Sequence, residues 1–256
     1  MEYIDIHAHL EFFEKLSELD KVIENAKKAR VEKILACGTN IETNRKALDY
    51  GKKYPETIEV CLGVYPTETV KLSDEQFDSE LEFIEKNKEK IVAVGEIGLD
   101  LKESNNLKKQ EKRFRDLLEL AKKINKPVVI HSRKAEQRAI EILEEVVGKN
   151  NKVLMHCFCG KKKLVKRIIS NSWSLSIPGN VKFSSQFQEM VELAPLEQLF
   201  CETDTPFLHP DKKFPNEPSN VIESYKKIAE IKKLSLDEVE KQIKKNYERL
   251  FHNSIY

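Results

Sequence analysis

Imidazole nitrogen and carboxylate oxygen recur at six places where they could act together on one ligand, in His7, His9, Glu96, His131, His156 and Asp204. His7 and His9 stand one residue apart in "YIDIHAHLEF". Alternate side chains of an extended strand leave by the same face, so both rings point one way and suit one cation. Glu96 comes from the run "IVAVGEIGLD", His131 from "PVVIHSR", His156 from "KVLMHCFCG" and Asp204 from "LFCETDTP". Mixed N and O donors suit Zn, Mn, Fe or Mg, and six exceed what one four-coordinate ion takes, so two divalent ions are the economical reading. A carboxylate such as Glu96 can serve both ions, holding them about 3.5–4 Å apart around a water acidified into the neutral range. That water is the expected nucleophile of a hydrolase. Each residue taken alone reads equally well as a polar strand end. Their joint placement favours the shared site.

That placement depends on the elements between them. Short apolar runs at 3–6, 33–37, 58–62, 91–94, 127–130, 152–155, 174–177 and 198–201 predict strands. Amphipathic Lys/Glu-rich stretches near 19–30, 43–53, 73–86, 107–124, 135–147, 161–170 and 186–193 predict the intervening helices, with two more after the last strand. Ser73 with Gln76 has the form of a capping box, and Asp237 falls in an acidic first turn. Strand–helix units repeated without a Gly/Ser-rich linker predict an α/β chain folded as one (β/α)8 TIM-type barrel over 1–256, with its site at the C-terminal ends of the strands. An open doubly wound sheet is the rival, weakened because no G-x-G-x-x-G follows the first strand.

The balance of 44 basic and 43 acidic residues excludes a generally basic nucleic-acid coat. Cys37, Cys61, Cys157, Cys159 and Cys201 are odd in number and scattered, the pattern of reduced thiols in a cytoplasmic protein. The opening residues carry neither a secretory leader nor an apolar span, so no membrane association is expected.

The segments "DIHAH", "GVYPTE", "VGEIGLD", "KPVVIHSR", "HCFCG", "CETDTPFL" and "NEPSNV" occur in the order found in the TatD family of metal-dependent deoxyribonucleases, which the chain resembles from "DIHAHLE" to its C-terminus. The resemblance implies that His7 and His9 bind one metal with Glu96 and Asp204. It implies that Glu96 also reaches a second metal, completed by His131 and His156. Asp204 would then accept the proton of the attacking water. The implied reaction is phosphodiester hydrolysis at DNA ends with Mg²⁺, Mn²⁺ or Zn²⁺ as cofactor and nucleic acid as partner.

Three departures stand out. Where members carry a histidine facing the scissile phosphate, this chain has Tyr65, which can donate a hydrogen bond but carries no positive charge at neutral pH. Leu101 replaces an aromatic residue after the aspartate of "GLDLKES", and Phe214–Pro215 precede Asn216 where a basic residue is usual. Tyr65, Arg133 and Asn216 are the candidate substrate contacts. Arg133 follows His131 by two residues and could clamp a phosphate oxygen, or pair with Glu136 instead. The Lys161–Lys163 run reads as a solvated helix face, and Cys157 and Cys159 as packing rather than thiolate ligands. Trp173, Phe183 and Phe187 read as core or rim, with base contact possible for Phe207. Two alternatives to the nuclease remain: an ester or amide hydrolase on the same scaffold, such as a D-aminoacyl-tRNA deacylase, and a barrel that binds without turnover.

Overall fold

The computed structural model describes residues 2–149 and 152–252. Its strands are β1 (Tyr3–Ala8), β2 (Val31–Cys37), β3 (Ile58–Leu62), β4 (Ala93–Asp100), β5 (Val128–Arg133), β6 (Val153–Met155), β7 (Ser174–Pro178) and β8 (Leu199–Glu202), all parallel and adjacent in chain order. Beyond β8 the sheet returns to β1: Ala8 bridges Thr205, the His9 amide donates to Thr205 O at 2.9 Å, and the Asp204 amide to His7 O at 3.1 Å. Buried Asp5 latches the same seam, accepting from the Thr203 amide at 2.8 Å and the Thr203 hydroxyl at 2.5 Å. A nearly closed (β/α)8 barrel results, as the alternation of elements predicts.

The helices are α1 (Glu11–Lys15), α2 (Leu19–Lys28), α3 (Ile41–Lys53), α4 (Pro66–Lys71), α5 (Asp74–Lys86), α6 (Leu107–Lys123), α7 (Glu136–Val146), α8 (Lys162–Ser170), α9 (Ser185–Leu193), α10 (Ile222–Lys232) and α11 (Leu236–Tyr247). Ser73 caps α5 by accepting from the Gln76 amide at 3.2 Å while Gln76 Oε1 takes the Ser73 amide at 3.0 Å, the reciprocal box expected there. Only α1 and α4 were not expected. At five and six residues they are too short to show a helical period.

The strand interiors hold a second apolar layer, including Ile4, Ile6, Leu35, Cys61, Ala93, Val129, Leu154 and Phe200, and Tyr247, Leu250 and Phe251 plug its lower end. Above this layer the inward positions turn polar. In β1 the inward set changes parity, from Ile4 and Ile6 to His7 and His9, and a register shift between Asp5 and Ala8 provides the extra residue. In β4 the change from Ala93 to Glu96 coincides with a shift between Val94 and Ile97. Each bulge thus turns a ligand-type side chain into the barrel where strict alternation would turn it out. Glycine is required here: a Cβ on Gly95 would lie 2.7 Å from Val129 Cβ, and Gly98, at φ +145°, passes so close that a Cβ would sit 1.9 Å from His131 O.

Candidate metal centre

The six side chains converge at the C-terminal ends of β1, β4, β5, β6 and β8. His7 Nε2 lies 3.2 Å from His9 Nε2, 3.4 Å from Glu96 Oε2 and 3.9 Å from Asp204 Oδ1. His9 Nε2 is 3.6 Å from Glu96 Oε2 and 3.7 Å from Asp204 Oδ1. The other oxygen of Glu96, Oε1, faces His131 Nδ1 at 2.9 Å and His156 Nε2 at 3.8 Å. His156 Nε2 is also 3.7 Å from Asp204 Oδ1. Ligand atoms about 2.1 Å from one ion stand roughly 3.0–3.5 Å from one another at octahedral or tetrahedral angles, so these spacings fit divalent coordination with small adjustments. His7 and Glu96 are buried, whereas the side chains of Asp204 and His131 keep 15% exposure and form the mouth.

A surrounding layer decides which nitrogen each ring offers. The Cys37 carbonyl, which can only accept, lies 3.2 Å from His9 Nδ1, so that nitrogen carries the hydrogen and Nε2 is bare. Cys37 Sγ donates to Leu35 O at 3.6 Å and takes His7 Nδ1–H at 3.4 Å. Glu202 accepts from His156 Nδ1 at 2.7 Å, and Asp100 from His131 Nε2 at 3.1 Å. When all four rings are neutral, their bare nitrogens face two carboxylates with no donor between them. Such a set is repulsive unless a cation sits among them. The donor chemistry fits divalent ions.

Without a metal, protons take that place. Burial favours neutral Glu96, but hydrogen bonds from His131 and His7 outweigh it and hold the carboxyl well below its usual range. Burial pushes Asp204 up to about 6 despite the opposing His156 and His9. Burial lowers His7 to about 4, whereas at His156 the charges of Glu202 and Asp204 overcome burial and lift it to about 10. Protons and metal ions compete for the same nitrogens.

Glu202, Asp100 and Cys37 were not among the predicted site residues. The signal was period two: Glu202 precedes Asp204 by two residues, and Asp100 follows Glu96 by four on the same side of β4. His7, His156 and Glu202 also form a compact potential ligand group. Glu202 is better read as a buttress, because Ser176 Oγ at 2.6 Å and the Cys157 amide at 3.1 Å already take its oxygens alongside His156 Nδ1.

Tyr65 lies at the cluster's edge. Its hydroxyl gives its single proton to Asp100 Oδ2 at 2.7 Å and stands 3.0 Å from His131 Nε2. Arg133 is on the rim, 52% exposed, and faces Glu103 at 3.6 Å rather than Glu136, which accepts from the Lys134 amide. Asn216 is outside the cluster and fully buried. It donates to Thr203 O at 2.9 Å and accepts from Asn220 Nδ2 at 2.9 Å, fastening the loop that carries Asp204. Among the described residues, neither Cys157 nor Cys159 belongs to a group of potential metal ligands. Lys162 pairs with Glu189 at 2.8 Å, as a solvated helix face would.

The profile of the family described as TatD related DNase matches residues 4–252. The chain belongs to the TatD family. It is 37% identical to an uncharacterized metal-dependent hydrolase, MJ1582, of Methanocaldococcus jannaschii, across 98% of this chain and 97% of that one. It is 33% identical to human deoxyribonuclease TATDN3, over 97% and 94% of the two chains. The crystal structure of the TatD homologue YJJV from Escherichia coli superposes with a TM-score of 0.89 at 25% identity, covering 97% of each. The TatD chain is accordingly a metal-dependent hydrolase acting on ester bonds, and its His, Glu and Asp clusters are where a metal could be held. No helix among its described residues is long and apolar enough to cross a membrane.

Proposed function

We propose that the chain works as one barrel domain that hydrolyses phosphodiester bonds at nucleic-acid ends, DNA foremost, using two divalent ions. The observation that carries this reading is Glu96, whose Oε2 faces His7 and His9 while Oε1 faces His131 and His156, as a carboxylate serving two ions must. His7, His9, Glu96 and Asp204 make up the first ligand set, and Glu96, His131 and His156 the second. Mg²⁺, Mn²⁺ and Zn²⁺ all suit such mixed donors. Divalent ions bound there supply positive charge to a phosphoryl oxygen and lower the pKa of an attacking water.

The chain's own groups do the rest. Asp204, at the mouth of the centre, takes the water's proton on its carboxylate and returns it to the departing alcohol. Arg133, held only loosely by Glu103, can exchange that partner for a phosphate oxygen. Cys37 and Glu202 keep His7 and His156 in the tautomers that leave Nε2 bare. The name of the human relative, a deoxyribonuclease, points the same way. Free cysteines support a reducing, cytoplasmic setting.

One observation favours a second reading, hydrolysis of an ester such as a D-aminoacyl-tRNA: the Tyr65 proton is committed to Asp100 and so is withdrawn from a phosphate. The test offers the purified chain, supplied in turn with Mg²⁺, Mn²⁺ and Zn²⁺, both end-labelled DNA and D-aminoacyl-tRNA. Metal-dependent release of mononucleotides is expected. Aminoacyl cleavage alone would transfer the site to the second reading, and no metal-dependent hydrolysis of either would overturn both.

A further inference from the structure

The exposed large hydrophobic side chains among the described residues are Leu16, Phe183, Phe207 and Phe214, and all lie in loops that follow β1, β7 or β8. These three strands adjoin around the seam, so the loops share one side of the mouth in which the metal centre lies. The loops pack together: Gly179 approaches Pro210 so closely that a Cβ on it would lie 3.3 Å away, Lys182 bonds Asp211 at 2.8 Å, and Lys212 Nζ stands 4.5 Å from the centre of the Phe183 ring. Phe12, from α1, supports Phe214 edge-on at 5.3 Å, yet Phe214 stays 63% exposed. Phe207, 54% exposed, is turned out by a tight bend whose amide returns to Asp204 O at 2.8 Å.

Neighbouring aromatics take the ordinary course: Phe187 and Trp173 are buried. Phenyl rings left in water beside a reactive centre mark a binding surface. Their partner has flat apolar faces and, given Lys212 and Lys213 in the same loop, negative charge.

We infer that Phe183, Phe207 and Phe214, with Lys212 and Lys213, form a stacking rim that holds unpaired bases of a nucleic-acid strand and feeds its end past Asp204. The inference rests on the hydrolase reading above and deepens it. Ring faces read no base identity, so the rim confers affinity without sequence preference, and a base-paired strand, its faces already stacked, gains nothing from it.

The test uses the metal-supplemented full chain, its Phe207→Ala and Phe214→Ala variants, and two end-labelled single strands, one intact and one abasic over its terminal positions. Each alanine should raise KM for the intact strand about 5- to 150-fold, the equivalent of roughly 1–3 kcal/mol per stacked base, while KM for the abasic strand moves less than about threefold. Phe207→Tyr should restore the wild-type value. Equal effects on both strands, or none on either, would overturn the rim while leaving the hydrolase reading intact. If the wild type cleaves neither strand, the hydrolase reading fails first and the rim with it.

Discussion

Replacing Glu202 by glutamine changes one atom behind His156 and exposes the logic of the whole centre. Glu202 Oε2 accepts from His156 Nδ1 at 2.7 Å and Ser176 Oγ at 2.6 Å, while Oε1 accepts from the Cys157 amide at 3.1 Å. A glutamine has one acceptor oxygen. Kept toward His156 and Ser176, it turns its NH2 group onto the Cys157 N–H, and a buried donor left facing a donor costs about 1–3 kcal/mol. For a chain of this length that corresponds to roughly 2–4 °C in melting temperature per kcal/mol. The larger effect is on metal, because a neutral acceptor fixes the His156 tautomer less firmly and makes its Nε2 a poorer donor. Affinity for Mn²⁺ or Zn²⁺ should fall about 10- to 100-fold, measured by calorimetric titration. Ser176 Oγ also accepts from the Cys157 amide at 3.2 Å, so adding Ser176→Ala should lower stability further and restore none of the metal affinity.

The pH dependence of the metal-free protein has a definite sign. Glu202 is held below the ordinary carboxyl value of 4.5 because the charge and hydrogen bond of His156 outweigh burial, so its contribution is present above that value and is lost as pH falls below it. His156, lifted from 6.5 to about 10, contributes fully below 6.5 and loses its contribution as pH rises through about 10. The stability gap between wild type and Glu202→Gln should therefore be widest between these two ordinary values and close toward alkaline pH. Unchanged metal affinity and melting in Glu202→Gln would refute the buttress argument.

Loading metal at pH 7 should release at least one proton, since His156 and His131 are both held above their ordinary value and must shed protons to bind. Calorimetry in two buffers of different ionisation enthalpy counts the protons, and zero release would contradict the assignment. Asp204→Asn should lower hydrolysis roughly 10²- to 10⁴-fold with melting little changed, measured by initial rates on end-labelled DNA. Gly98→Ala should destabilise by about 1–3 kcal/mol from its φ of +145° alone, and by more from the contact with His131 O. A melt within a degree of wild type would show that β4 can yield there.

The strands, the principal helices and the six side chains gathered at the candidate centre were all legible in the sequence, because each rests on a local signal. Apolar runs of four or five residues, 3.6-residue periodicity and a ligand-type residue at the end of each of five runs need no partner to be read. The sequence also determined that the centre would be made of imidazole and carboxylate, which bounds the metals it suits. What escaped it depends on neighbours. Only pairing with β2 and β5 creates the bulges that turn His7 and Glu96 into a barrel whose inward parity begins at Ile4 and Ala93. Only the packed surroundings choose Nε2 of His7, His9 and His156 but Nδ1 of His131, because a ring nitrogen is freed by whatever acceptor holds the other one. Tertiary structure likewise separated Phe187 and Trp173, drawn into the core, from Phe183, Phe207 and Phe214, left in water. A side chain's chemistry is written in its type, but its direction and exposure follow from contacts with residues far along the chain, and the closing of the ring sets those contacts.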